Sequence, residues 1–416
     1  MYKEYFKKLR IITLILVVFF VISNNFFILF ADDIDEDEFS INDLEDIVET
    51  SAKTSEKLVL NSRIAVAFDR KSGRTVWGKE ENKKTAMAST TKMLTAVIAI
   101  ENGNLNDVVE VSAKAASTGG SRLGLKKGDK VSLHDLLYGL MLRSGNDAAI
   151  AIAEHIGGNV ENFANLMNKK ATELGLKNSH FVTPHGLDDP EHYTTAVELA
   201  KIADYGLKNE TFAEIVGSKN YTITINGYAK SLNNTNELLG YLDGVYGVKT
   251  GFTNNAGRCL VTSVVRGNMD IIFIVLQADS KKNRTLDSIN LINYVFDNYE
   301  QVDIGKIVDK KFNDWCNINK NRIVVNKSKN PNINLNVTPL KNEFIVVKKS
   351  DIDNIDIKIN GIFQYEAPIS KNKTFGDLKV TVGGECVDCL DINFEYEIEK
   401  MTVMDYFIEC IEKLKI

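Results

Sequence analysis

Ala88-Ser89-Thr90-Thr91-Lys92-Met93 is the stretch on which the reading of this chain turns. It follows two apolar-rich runs, Ser62 to Asp69 and Arg74 to Lys79, joined by Arg70-Lys71-Ser72-Gly73 in the manner of a β-hairpin. It opens a run in which Met93, Leu94, Val97 and Ile98 carry helical spacing up to a stop at Gly103. Ser89 therefore stands near a helix N-terminus, and Lys92, one turn on, shares its face. A serine hydroxyl is a poor nucleophile unless a base takes its proton. A lysine amine can be that base only if its pKa falls from ~10.4 towards roughly 7, a change of about 4 kcal/mol. Burial, the positive end of the helix and a second ammonium nearby all push in that direction. The same helix start aims backbone N–H groups at whatever Ser89 attacks, which suits an oxyanion.

The pair alone does not establish a site, because Ser370 and Lys373 repeat its spacing. Two other segments add to it. Ser144-Gly145-Asn146 falls between apolar helices expected at Ser132 to Arg143 and Asp147 to Ile156, in a loop from which both polar side chains can enter a cleft. Other Ser-x-Asn triplets exist at 218, 231 and 288, so its place singles it out, not its composition. Lys249-Thr250-Gly251 is unique in the chain and ends a strand expected from Val245. Lys249 supplies a fixed positive charge for a substrate carboxylate, Thr250 a hydroxyl, and Gly251 room for a ligand backbone to approach the strand. A substrate laid on that edge pairs like an added strand, with the N–H of Phe252 completing an oxyanion hole with that of Ser89.

Further helices are expected at Val160 to Leu174 and Thr194 to Leu207, strands at Arg258 to Arg266 and Met269 to Gln277, and a last helix at Leu286 to Tyr299. Beyond Tyr299 short alternating stretches such as Phe344 to Val347, Ile355 to Ile359, Leu378 to Val382 and Ile392 to Ile398 describe a small β domain without a polar catalytic cluster. From Thr402 to Ile416, Phe407, Ile408, Ile411 and Leu414 share one helical face, which either docks on the β domain or lies on a membrane surface. Acidic Asp405, Glu409 and Glu412 nearly balance Lys413 and Lys415, so attraction to anionic lipid is weak.

At 416 residues the chain is too long for one ordinary core, and its 44% hydrophobic and 25% charged residues are those of folded proteins. A net charge of -6 does not suit a protein that neutralises phosphates, so nucleic acid is no partner. Lys3, Lys7, Lys8 and Arg10 precede an almost wholly apolar run from Ile11 to Ala31, and acidic residues follow from Asp32, as an export signal or uncleaved anchor requires. The organisation expected is a signal or anchor over 1–31, an acidic linker over 32–57, a catalytic domain over 58–298, a β-rich domain over 299–398 and an amphipathic helix over 399–416. Five cysteines rule out a disulfide-stapled scaffold. Cys386-Val387-Asp388-Cys389 has the spacing of half a zinc ribbon, but no second such pair exists and every histidine lies between 134 and 192. It reads as an incidental pair or a local disulfide, with no metal.

With the serine–lysine, serine–asparagine and lysine–threonine–glycine elements in this order, the chain resembles the penicillin-recognising serine enzymes. Residues 88–93, Leu142 to Ala148, Pro184-His185-Gly186-Leu187 and Val248 to Gly251 are similar to the low-molecular-mass D-alanyl-D-alanine carboxypeptidases. The likeness covers about residues 58 to 298, and the tail matches that family's second domain only in size and character. The resemblance implies an α+β fold of the transpeptidase/β-lactamase type, a helical lobe plus an antiparallel sheet, followed by the small β-rich domain. It implies that Ser89 is acylated, that Lys92 accepts its proton, and that Ser144 relays a proton to the leaving D-alanine. Substrate binding then falls to Lys249, Asn146, Thr250, Gly251 and Phe252, with Arg284 holding the terminal carboxylate. The substrate is a peptidoglycan stem peptide ending in D-Ala-D-Ala, β-lactams are covalent inhibitors, and no cofactor is needed. Alternatives are a D,D-endopeptidase, a β-lactamase and a non-catalytic wall-binding scaffold. A β-lactamase needs a carboxylate for the deacylating water, and Glu161 with Asn165 copies its spacing but reads as helix surface. A Ser-His-Asp hydrolase lacks its GxSxG elbow, and spacing gives His185 no partner.

Overall fold

The computed structural model describes residues 58–329 and 333–414. The signal or anchor expected over 1–31 and the linker over 32–57 lie outside the described residues. The hairpin comes first, with β1 (Ile64–Asp69) and β2 (Arg74–Lys79). A 3-10 turn, Ala88–Thr91, then leads into α1 (Lys92–Asn102). The helical lobe continues through β3 (Val108–Glu110), α2 (Ala113–Ser117), β4 (Lys130–Ser132), α3 (Leu133–Leu142), α4 (Asn146–Gly157), α5 (Val160–Glu173), α6 (Ala196–Leu207) and α7 (Glu210–Gly217). The hairpin β5 (Asn220–Ile225) and β6 (Tyr228–Asn233) precedes β7 (Val245–Thr253), β8 (Gly257–Arg266), β9 (Met269–Ala278) and α8 (Lys281–Asn298).

The central sheet is antiparallel in the order β2-β1-β9-β8-β7, so the first hairpin pairs with the last strands and β7 forms an edge. Its strands are apolar on both faces because both are covered. In β9, Ile272, Ile274 and Leu276 join the core of the helical lobe, while Ile271, Phe273 and Val275 pack with Ile289, Ile292 and Val295 of α8. This two-sided burial makes the sheet a rigid floor under the helical lobe, and the lobe meets the edge β7 at the 3-10 turn carrying Ser89. Asp287 of α8 locks the entering chain, accepting from the N–H groups of Asn61 and Ser62 at 3.2 and 2.6 Å.

The second unit starts with β10 (Tyr299–Asp303) and continues through α9 (Ile304–Asn319), β11 (Val324–Asn326), β12 (Leu335–Val337), β13 (Phe344–Lys348), β14 (Ile355–Gly361), β15 (Gln364–Glu366), β16 (Thr374–Val382) and β17 (Glu385–Phe394), before α10 (Val403–Leu414). Its main sheet runs β12-β17-β16-β14. Elements absent from the sequence expectation include a helix and a hairpin. The region read as β-rich holds the helix α9, whose Val308 and Phe312, one turn apart, sit in a core with Phe375, Leu378, Ile392 and Phe394. The hairpin β5–β6 turns at Asn226-Gly227 with φ of 52° and 85°, the geometry for which Asn-Gly is suited. Cys386 and Cys389 are exposed free thiols on β17, which removes the local disulfide. In α10 no residue is buried, so its apolar face is not docked on the β domain.

Candidate active site

Ser89 sits on the 3-10 turn before α1, with Ala88 held at a φ of 49°. A non-glycine residue in the left-handed region stores strain, of order 1–3 kcal/mol, that the surrounding packing must sustain. Lys92 is fully buried, and its Nζ donates to Ser89 Oγ at 2.8 Å, Asn146 Oδ1 at 2.7 Å and the His185 carbonyl at 3.0 Å. Two of these partners, an amide oxygen and a carbonyl, can only accept. They take two N–H groups, and the nitrogen still meets the Ser89 hydroxyl, which donates once the amine is neutral.

Ser144 is buried at a φ of 61°, between the end of α3 and the start of α4. The loop keeps the expected three residues but is shifted by one, to Arg143, Ser144 and Gly145, because α3 ends at Leu142 and Asn146 is already the first residue of α4. Its Nδ2 donates to the Gly119 carbonyl at 2.7 Å, which leaves Oδ1 turned to Lys92. Asp147, unassigned by the sequence reading, anchors the loop over this site. Its carboxylate accepts from the N–H groups of Leu123, Gly124 and Leu125 at 2.8, 2.8 and 2.9 Å. Gly145 is required here because a Cβ would lie 2.9 Å from Asp147 Oδ1 and 3.1 Å from Leu123 N.

Lys249 and Thr250 are both buried on β7, and Lys249 Nζ donates to the Thr250 carbonyl at 3.0 Å. Thr250 shares a hydrogen bond of 2.7 Å with Thr235. Gly251 lies against the turn that carries Ser89. A Cβ there would lie 3.0 Å from Ser89 N and 3.1 Å from Thr90 N, so the backbone it admits is that of the nucleophile's own turn. The ring of Phe252 lies 3.8 Å from the guanidinium of Arg258. The three motifs thus meet where β7 touches the start of α1.

Arg284, expected to hold the terminal carboxylate, stands on α8 in an ion pair with Glu237. It is 2% exposed on α8, and its Nη2 donates to Glu237 at 2.6 Å, so its charge is already met by a carboxylate of the chain. Glu237 also holds Lys281 at 2.7 Å. The segment carrying Glu237 places Thr235 on Thr250 and Asn236 on the Gly247 carbonyl, at 2.7 Å each. Arg284 is thereby joined through Glu237 to the segment that packs on β7.

The histidines serve the frame. His192 accepts at Nδ1 from Val182 and Thr183 N–H, which leaves its proton on Nε2, 2.8 Å from Thr91 Oγ1. Burial pulls its pKa down to about 4. Burial and then the Lys92 charge pull His185 down to about 3. Both are neutral near pH 7. Gly186, at a φ of 85°, passes so close to the nucleophile's turn that a Cβ would stand 1.9 Å from the Ala88 carbonyl oxygen. Glu161 and Asn165 are exposed on α5, far in character from a water-activating pair.

A buried serine–lysine pair on a helix start, faced by a serine–asparagine turn and the edge of an antiparallel sheet, defines a serine acyl-transfer enzyme of the penicillin-recognising fold. The family model described as D-alanyl-D-alanine carboxypeptidase matches residues 50–280. The chain belongs to that family. It is 34% identical over 340 residues to the D-alanyl-D-alanine carboxypeptidase DacF of Bacillus subtilis, covering 80% of this chain and 85% of that protein. It is 37% identical over 248 residues to a D-alanyl-D-alanine carboxypeptidase of Streptomyces sp. strain K15, covering 55% and 85%. Among solved structures, the carboxypeptidase DacD from Francisella tularensis superposes with a TM-score of 0.66 at 26% identity, over 85% of this chain and 98% of that one. Penicillin binding protein 5 from Haemophilus influenzae does so at 0.66 and 27%, over 83% and 100%. The likeness therefore extends beyond the catalytic domain into the tail.

Proposed function

We propose that this serine D-Ala-D-Ala carboxypeptidase removes the terminal D-alanine of peptidoglycan stem peptides with Ser89 as nucleophile and Lys92 as base. The observation that carries the assignment is the 2.8 Å contact between Lys92 Nζ and Ser89 Oγ, both buried, with Lys92 braced by Asn146 and the His185 carbonyl. Ser89 Oγ bonds to the carbonyl carbon of the penultimate D-alanine as its proton passes to Lys92 Nζ. The C–N bond then breaks, and the departing amine takes a proton relayed by Ser144, leaving an ester on Ser89. Water adds to that ester and frees the shortened peptide and the serine. The oxyanion is met by the backbone N–H groups of Ser89 and Phe252, a contribution worth about 3 to 4 kcal/mol per donor in comparable enzymes. Lys249 and Thr250 hold the terminal carboxylate, and Arg284 supports them through Glu237. A β-lactam, whose strained amide occupies the place of the scissile bond, acylates the same serine.

The test uses the protein without its apolar N-terminal run, a fluorescent penicillin and a diacetylated Lys-D-Ala-D-Ala peptide. D-alanine release and a long-lived adduct are expected, and Ser89→Ala abolishes both. Labelling that persists in this variant sinks the assignment, and rapid turnover of penicillin indicates a β-lactamase instead.

The apolar run of 11–31 points to export, and α10 offers contact with a membrane surface. Met404, Phe407 and Ile408 are 65%, 62% and 48% exposed, and the helix is tied at its start by Lys329 to Asp405 at 2.8 Å. Among the described residues no helix is long and apolar enough to cross a membrane. Flotation with zwitterionic vesicles, lost in Phe407→Glu, checks this reading; equal flotation of the variant counts against it.

A further inference from the structure

The start of β7 is held by side chains where its ladder is interrupted. Val245 pairs with Val264 and Val248 with Thr262, so three steps along β7 match two along β8 and one residue is extra. Such a bulge breaks the pairing and changes the aim of the side chains that follow, of which Lys249 is one. Tyr246, inside the bulge, supplies a hold through its side chain. Its hydroxyl accepts from Arg70 Nη1 at 2.6 Å and donates to Asp270 Oδ1 at 2.6 Å. Arg70 Nη1 also donates to Asp270 Oδ2 at 2.8 Å, which closes a ring of three residues, and its Nε donates to Asp204 Oδ1 on α6 at 3.0 Å. Burial, and after it the bond to Asp270, push the Tyr246 hydroxyl up to about 12, so it keeps the proton it donates. One guanidinium thus ties β7 to β9 and to the helical lobe.

Arg70 opens the turn between β1 and β2, and the second unit grips that turn. Lys71 Nζ donates to Gln301 Oε1 at 3.2 Å, the Asn342 amide to the Ser72 carbonyl at 3.0 Å, and Arg74 Nη1 to the Val387 carbonyl at 3.3 Å. Gln301 lies on β10 and Val387 on β17, so two strands of the second unit meet the hairpin that carries Arg70. We propose that Arg70 is a positioning residue for Lys249, acting through Tyr246, and that the second unit steadies it by holding the turn. The inference rests on the proposed function, in which Lys249 binds the substrate carboxylate. The reacting pair Ser89 and Lys92 stands outside this line of contacts, so its effect falls on substrate binding and not on the chemical step.

The experiment measures D-alanine release from diacetylated Lys-D-Ala-D-Ala by the full chain in detergent, with end-point penicillin labelling and the thermal midpoint of each variant alongside. Tyr246→Phe keeps the ring and removes the hydroxyl. It is expected to raise KM about three- to tenfold, the effect of one lost hydrogen bond, with kcat within about twofold of wild type. Arg70→Lys keeps the charge without the planar fork and raises KM alike. The two together raise it no more than either alone, because both cut the same link. Gln301→Ala with Asn342→Ala releases the turn and raises KM about two- to threefold, and adds nothing in the Tyr246→Phe background. An unchanged KM in Tyr246→Phe, with labelling and D-alanine release intact, overturns the inference and leaves the function standing, whether or not the thermal midpoint falls. So does a Gln301→Ala/Asn342→Ala variant whose KM is unchanged, or whose effect multiplies with that of Tyr246→Phe. A wild-type protein that neither labels nor releases D-alanine removes the function and the inference together.

Discussion

Asn146 accepts a hydrogen bond from Lys92 at 2.7 Å through Oδ1 while its amide nitrogen is spent on the Gly119 carbonyl. The residue therefore cannot flip without losing both bonds, and it presents a neutral acceptor to the amine. A carboxylate at the same place would favour the charged amine and remove the base. Asn146→Asp is expected to slow acylation by a fluorescent penicillin at least about 100-fold, the lower end of what general-base catalysis contributes. Stopped-flow rates within threefold of wild type would show that Lys92 is not the proton acceptor.

Gly186 tests the packing between the Pro184 to Leu187 loop and the nucleophile's turn. Gly186→Ala places a methyl group 1.9 Å from the Ala88 oxygen and also forces an L-residue to a φ of 85°. Overpacking and backbone strain together should cost about 3 kcal/mol or more. Denaturant unfolding measures it, and an undiminished midpoint contradicts the close approach.

Both buried histidines couple stability to pH. Their folded pKa values, about 3 for His185 and about 4 for His192, lie below the unfolded value of 6.5. The unfolded chain thus binds more protons between these limits, and stability falls as pH drops from about 6.5 towards 4. Each histidine contributes a slope of at most about 1.4 kcal/mol per pH unit in that window. A urea midpoint that stays flat from pH 7 to 4.5, after allowing for surface carboxylates, would falsify the burial of these rings.

Glu237 is the counter-charge of a guanidinium that is nearly out of water. Glu237→Gln leaves Arg284 without its ion-pair partner and loosens the segment that sets Thr235 against Thr250. Breaking one side of such a pair is expected to cost about 3 kcal/mol, and KM for the peptide should rise more than kcat falls, because the change reaches the strand end proposed to bind the carboxylate. Steady-state kinetics settle the split. Unchanged KM with a lowered melting temperature assigns Glu237 to stability alone.

Which elements were legible in the sequence follows from how local their causes are. The first hairpin, α1 and the strands β8 and β9 declare themselves because their period and their glycine or polar turns are written in adjacent residues. α9 escapes the sequence reading because its first half carries the solvated charges of Lys306, Asp309, Lys310 and Lys311 within a region dominated by β-type alternation. Its apolar stripe becomes visible only against the strands it covers.

The serine–lysine spacing was determined by the sequence alone, because one helical turn suffices to bring those two side chains to a common face. The type of chemistry was legible for the same reason. Which asparagine would brace Lys92, which carboxylate would meet Arg284 and which backbone would press on Gly251 were decided only by the tertiary fold. Each joins segments far apart in the chain, and such contacts depend on a sheet order that returns β1 to the side of β9 and leaves β7 at the edge facing the helical lobe.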